Sequence, residues 1–250
     1  MKISVITAVY NGAETIEDTI NSVSGQTHSN VEHIVIDGLS TDNTMSIVNR
    51  HRNNIAVVVS EADTGIYDAM NKGIAAATGD VVGTLNADDM YENDRVLDRV
   101  AELFSDPELD ACYANLVYVD RANLKKVVRY WTSQPFEPGL FFKGWIPAHP
   151  TFFVRKAVYD HCGSFDLDYK IQSDFELTLR LLELHRIRSL YVPEIWVRMR
   201  MGGTTNKSIL NIIKGNWEAY KACKKHQLNV SPMFFVTKIA ARVPQFFRRP

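Results

Sequence analysis

Asn86, Ala87, Asp88 and Asp89 follow a short apolar run, Val81 to Leu85, that is itself preceded by Gly79. The run has the length and composition of a buried strand. Two adjacent carboxylates at such an end repel each other and lose hydration unless a positive charge is near. A hard divalent cation, which prefers oxygen ligands, would supply it. The other reading is a solvated turn in which Asp88 or Asp89 caps a helix beginning near Asn93. Further polar residues fall in equivalent places: Asn11 after Ile3 to Val9, Asp37 after Val31 to Ile36, and Glu61 and Asp63 after Ile55 to Val59. Four successive strands ending in amides or carboxylates point to a single acidic, metal-assisted pocket.

The elements that must position these groups alternate. Helical spacing of apolar residues is present at Ile16, Ile20 and Val23, at Met45 and Val48, and at Met70, Ile74 and Ala77, with a further helix from Val96 to Phe104. Repeated strand–helix alternation with short connections predicts an α/β fold with a mostly parallel sheet flanked by helices, and ligands bind beyond the carboxyl ends of such strands. After about residue 110 the pattern changes. Ala111 to Val119 reads as a strand, and Phe175 to Leu184 as a helix with Asp174 at its N-terminal edge, a natural cap position. Between them, Tyr130 to Pro150 holds Trp131, Phe136, Phe141, Phe142 and Trp145. That segment is either a core-covering loop or a platform for sugar rings, which stack well on aromatic faces.

Composition narrows the classes. The chain has 250 residues, 46% of them hydrophobic and 23% charged, with a net charge of −1, so the whole molecule carries no nucleic-acid signature. Cys112, Cys162 and Cys223 are too few and too far apart for a disulfide framework or a zinc site, and suit a reducing compartment. No signal peptide and no run of about 20 apolar residues is present, so a cytoplasmic protein is expected. From Lys207 onward, nine Lys and Arg residues face one acid, Glu218, and are interleaved with Trp217, Tyr220, Phe234, Phe235, Phe246 and Phe247. This reads as a helical, basic tail, either packed on the domain with a solvated face or lying against an anionic membrane surface.

Over residues 2 to 205 the chain resembles a family 2 glycosyltransferase of the GT-A, Rossmann-like fold, of the kind that builds bacterial polysaccharide, O-antigen or colanic acid. Ser4-Val5-Ile6-Thr7-Ala8-Val9-Tyr10-Asn11-Gly12 is similar to that family's opening strand and nucleotide-binding turn. Val35-Ile36-Asp37-Gly38 through Asp42-Asn43-Thr44 resembles its base-recognition loop, and Asp63-Thr64-Gly65-Ile66-Tyr67-Asp68-Ala69-Met70-Asn71-Lys72-Gly73 the helix before the metal strand. Asn86-Ala87-Asp88-Asp89 stands where the family has Asp-X-Asp, and Gly202-Gly203-Thr204 resembles a small-residue loop near its active site.

The resemblance implies three regions: residues 1–110 for the nucleotide sugar, 111–205 for the acceptor, and a tail over 206–250. It implies an inverting, metal-dependent transfer from a nucleotide-diphosphate donor, UDP favoured, to a glycan or lipid-linked acceptor, on the cytoplasmic face of the inner membrane. Mn²⁺ or Mg²⁺ would be held by Asp88 with Asp89; Asn86 departs from the usual acid and brings no charge. Asp37 is the expected base contact, though an Asp in a turn also binds its own backbone. Thr7, Val9 and Asn11 would line the base and ribose pocket, with Asp63 and Asn71 at its wall, Asn71 being equally suited to a buried structural amide. Asp174 matches the general base, with Ser173 replacing the usual preceding acid; a plain helix cap is the alternative. His149 matches an acceptor-side position or is structural, and Arg198 and Arg200 would reach diphosphate oxygens or lie on a strand surface. A sugar nucleotidyltransferase would carry a basic phosphate loop after the first strand, which Tyr10-Asn11-Gly12-Ala13-Glu14 is not. A glycoside hydrolase would need paired carboxylates but no nucleotide pocket. A non-catalytic nucleotide- or carbohydrate-binding relative is also compatible with Asn86 and Ser173.

Overall fold

The computed structural model describes residues 1–202, 209–228, 230 and 234–235. The chain begins with β1 (Ile3–Val9), α1 (Ile16–Ser24), β2 (Val31–Asp37), α2 (Thr44–Arg50), β3 (Val57–Ser60), α3 (Ile66–Ala76) and β4 (Val81–Thr84). The expected alternation is therefore present, each element within about two residues of its expected position. It continues with β5 (Asp89–Tyr91), α4 (Val96–Leu103), β6 (Ala111–Val119), β7 (Val127–Trp131), β8 (Phe153–Arg155), α5 (Lys156–Cys162), α6 (Ser173–Leu179), β9 (Ser189–Arg200) and α7 (Ile209–Lys225).

The nine strands form one mixed sheet in the order β3-β2-β1-β4-β8-β6-β9-β5, with β7 paired to β6. β3, β2, β1 and β4 are parallel, as helical crossovers require. Beyond β4 the sheet turns antiparallel through β8, and only β6 and β9 pair in parallel. Every residue of β1 is buried, which is what a strand covered on both faces by helices demands. Gly73 on α3 shows how closely the helix lies on the sheet: a Cβ there would sit 2.3 Å from a methyl of Ile6.

Part of the aromatic segment is core. Phe141 is fully buried and packs edge-on against Trp145 and Phe175, and Tyr113 adds a further edge contact to Trp145. Phe136 and Trp145 pack partly buried against that core, while Phe142 is exposed. No helix among the described residues is long and apolar enough to cross a membrane. α7 packs on α6: the Glu218 carboxylate accepts the backbone N–H groups of Ile171 and Gln172 at 2.8 and 3.1 Å, and His226 meets Glu176 at 2.7 Å. Gly203, Thr204 and the stretches 206–208, 229, 231–233 and 236–250 of the basic tail lie outside the described residues.

Candidate active site

The carboxyl ends of the parallel strands are tied into one rim. After β1, Asn11 adopts φ 50°, donates its backbone N–H to the Ser40 hydroxyl and accepts the Thr41 N–H on its side-chain oxygen. Gly12 donates to Thr44 and Ala13 to Asp42, so the turn after β1 is zipped to the loop after β2. Gly12 also abuts Ala87, next to Asp88. Gly38 presses on the Asp63 carboxylate, where an added Cβ would lie 2.4 Å from an oxygen. Asp63 in turn accepts the Gly65 N–H at the start of α3.

α3 carries this rim to Asp174. The Tyr67 hydroxyl lies 2.9 Å from the carbonyl of Ile171 and 3.2 Å from Asp174 Oδ1, and His149 Nδ1 stands 3.3 Å from Asp174 Oδ2. Burial first, then the Asp174 charge, pushes the Tyr67 phenol well above its ordinary pKa, so it stays a neutral donor. Asp174 is in the first turn of α6, where the helix N-terminus favours a negative group. Ser173 explains its own departure from an acid. It is fully buried and its hydroxyl donates to the Asp166 carbonyl, which an ionised carboxylate there would repel. The resemblance pointed to Asp174 and His149. It missed Tyr67, whose place at the first turn of α3 was the available signal.

Several of the expected contact residues have partners within the chain. Asp37 is fully buried; it accepts the Ser40 N–H at 3.2 Å and the Ser60 hydroxyl at 2.6 Å, so it braces the loop from inside. Thr7 is fully buried against His33, 3.0 Å away, and Val9 sits in an apolar cluster with Ile16 and Ile20, because the β1 interior is covered on both faces. Asn71 both donates to and accepts from the Phe165 backbone, at 2.8 and 2.9 Å, and has the structural role. Arg198 is engaged by the Leu124 carbonyl and Glu92.

At the end of β4 the two acids part. Asp88 is half-buried, whereas Asp89 is fully buried and accepts the Asn86 amide at 2.8 Å. Burial, then the Asp88 charge, pushes the Asp89 carboxyl well above its usual range. Asp89 Oδ1 is buried without a hydrogen-bond partner. Arg200, buried at the end of β9, donates to the Asp88 carbonyl at 3.0 Å and pairs with Asp18. It locks the Asp88 backbone.

The donor set fits a cation held largely by a ligand's own phosphates. Asp88 offers one accessible carboxylate, the neighbouring Asn86 Oδ1 and Asp89 Oδ1 are buried without a hydrogen-bond partner, and no group of three His, Cys, Asp or Glu among the described residues forms a cage by itself. One or two carboxylates plus phosphates is how Mg²⁺-type ions are commonly bound.

Comparison with known proteins agrees with this architecture. Residues 4–162 match the model for glycosyl transferase family 2. A Mycobacterium bovis PGL/p-HBAD biosynthesis glycosyltransferase is 32% identical over 181 residues, 71% of this chain and 68% of that protein. A Nostoc sp. glycosyltransferase is 37% identical over 138 residues, 54% of this chain and 42% of its own. Among solved structures, S. aureus TarS with UDP-GlcNAc superposes with TM-score 0.66 at 18% identity over 99% of this chain and 73% of TarS. The mannosyltransferase PcManGT of Pyrobaculum calidifontis, with GDP-Man and Mn²⁺, gives TM-score 0.67 at 20% identity over 96% of this chain and 69% of that one. Both structures share the fold.

Proposed function

Because the chain belongs to glycosyl transferase family 2, we propose that this glycosyltransferase moves a sugar, with inversion, from a nucleotide-diphosphate donor to a hydroxyl of a glycan or lipid-linked acceptor in cell-surface polysaccharide synthesis. UDP is the favoured carrier, and the protein works in the cytoplasm, peripherally on the inner membrane. The observation that carries this reading is Asp174, gripped by Tyr67 and His149 beside a rim of loops at the carboxyl ends of the parallel strands. The donor-side residues are Asn11, the 38–44 loop, Asp63 and Asp88, with Asn86 beside them. Thr7, Val9 and Asp37 stand behind that rim, with Asp37 bracing the 38–44 loop through Ser40.

Asp174 removes the acceptor hydroxyl proton as that oxygen bonds to the anomeric carbon and the sugar–phosphate bond breaks on the opposite face, which inverts the configuration. Tyr67 and His149 hold the carboxylate in its rotamer, so orientation is set before the acceptor arrives. The single Tyr67 proton can turn to Asp174 while it is ionised, and to the Ile171 carbonyl once Asp174 is protonated. Asp88 would hold Mn²⁺ or Mg²⁺ with the donor phosphates, and that ion supplies charge neutralisation for the departing diphosphate. Calorimetric titration with UDP, GDP, TDP and CDP, each with and without Mn²⁺, tests the reading. Metal-enhanced binding of one nucleotide supports it, and no binding by well-folded protein removes it. Binding without sugar release from a labelled donor would leave a non-catalytic relative.

A further inference from the structure

Away from the strand ends, a groove of about 480 Å³ runs between residues 168–170 and the outer face of α7. Its walls include Tyr169, Lys170, Lys214, Trp217 and Lys221. None of these three lysines is ion-paired with a carboxylate among the described residues, and Lys221 lies 6.0 Å over the Trp217 ring. Two acids border the groove. Glu218 is buried and already accepts the Ile171 and Gln172 N–H groups, and Asp168 is an exposed rim residue near Lys225. Three ammonium groups against these two acids leave the concave site with an excess of positive charge, which suits an anion. Beside it, Trp217 is 50% exposed and Ile213, one turn earlier on the same face, 60% exposed, leaving an apolar path that leads from the cations to solvent.

The groove adjoins the chemistry. Residues 168–170 form its wall on one side; the next residue, Ile171, accepts from Tyr67 on its carbonyl, and Tyr67 also contacts Asp174. Gly215 lets α7 approach this strap, since a Cβ there would meet Ile171 at 3.2 Å.

We propose that this groove seats the phosphate of a lipid-linked acceptor, with Trp217 and Ile213 against the first carbons of its chain. The inference rests on the glycosyltransferase reading above and names the acceptor class for it. A concave site with an excess of cations suits a discrete phosphate group, whereas a bilayer would be met by a flat or convex face.

The test is calorimetry of the full chain with decyl phosphate below its micellar concentration, against decanol, inorganic phosphate and phosphatidylglycerol vesicles. Decyl phosphate is expected to bind saturably. Decanol and inorganic phosphate should each bind at least roughly tenfold more weakly, and K214Q/K221Q should weaken decyl phosphate roughly tenfold. A separate K170Q variant should also weaken it, and UDP affinity should be unchanged in both. Equal binding of decyl phosphate by wild type and both variants would overturn the site. Binding of inorganic phosphate as tight as decyl phosphate would overturn the lipid assignment. Lysine-dependent binding of vesicles alone would make this a membrane face and likewise overturn the proposal. A wild-type chain that binds UDP but not decyl phosphate refutes only this inference; one that binds no nucleotide refutes the function it rests on.

Discussion

Replacing Asp174 by Asn separates catalysis from folding more cleanly than any other change at the site. The amide keeps the volume and one oxygen, so the contacts of Oδ1 with Tyr67 and with the Phe175 N–H survive. What goes is the basic oxygen facing His149 at 3.3 Å. Loss of one such contact, with the amide still able to pair, should change stability by about 1 kcal/mol or less. Loss of a general base costs about 10²–10⁴-fold in rate, or roughly 3–5 kcal/mol of barrier. Sugar transfer should therefore fall by that factor at saturating donor, while the nucleotide Kd from calorimetry and the urea midpoint stay near wild type. Turnover within about threefold of wild type, in a correctly folded variant, would refute the assignment. A fall in nucleotide affinity matching the fall in rate would put Asp174 in the donor site instead.

Tyr67→Phe removes one hydrogen bond to a charged group, and kcat should drop roughly 10- to 100-fold with the donor KM unchanged; a purely structural role would lower stability and leave kcat intact. Asn71→Ala breaks two bonds to the Phe165 backbone and should cost about 2 kcal/mol in denaturant unfolding, with nucleotide affinity unaltered in the folded fraction. Burial works to raise the Glu32 pKa, but hydrogen bonds from Lys2, Ser4 and Thr78 outweigh it and bring it down to about 2. The folded pKa is thus below the unfolded one, so this stability is present above about pH 4.5 and lost as pH falls towards about 2. Unfolding free energy should decline over that window in the wild type and less steeply in Glu32→Gln.

The parallel half of the fold was legible because its signals are local. Apolar runs of strand length alternate with residues at helical spacing, and each polar strand end was correctly located. The antiparallel half was not, because β8 is three residues long and its place between β4 and β6 is set by non-local pairing that leaves no periodicity. At the site, sequence order found which residues lie near the strand ends but not which way they face. Asp37 and Asp63 look alike in one dimension, yet Asp37 turns inward to Ser40 and Ser60 while Asp63 lies half-buried against Gly38. Arg198 and Arg200 differ only by their neighbours across the sheet, Arg198 meeting Glu92 and Arg200 the Asp88 carbonyl. Tyr67 was hidden because its partner Asp174 is 107 residues away.

Asn86 departs from the acid that the resemblance leads one to expect, and Asp89 supplies the reason. Asp89 is fully buried and its Oδ2 receives the Asn86 amide, whereas a carboxylate at 86 would bring two oxygens to face two oxygens in a site closed to water. Two such charges cannot both ionise there, so Asn86→Asp should either hold a proton across the pair or lose stability by about 3–5 kcal/mol. The loss should shrink at low pH, where the proton comes from solvent. Asn86→Asp combined with Asp89→Asn restores one amide and one carboxylate and should recover most of the stability, with a coupling of about 0.5–3 kcal/mol in a double-mutant cycle. Denaturant unfolding of the four chains measures it. Additive effects would mean that the amide at 86 answers to something other than Asp89, and the inward turn of Asp89 would then lose its physical explanation.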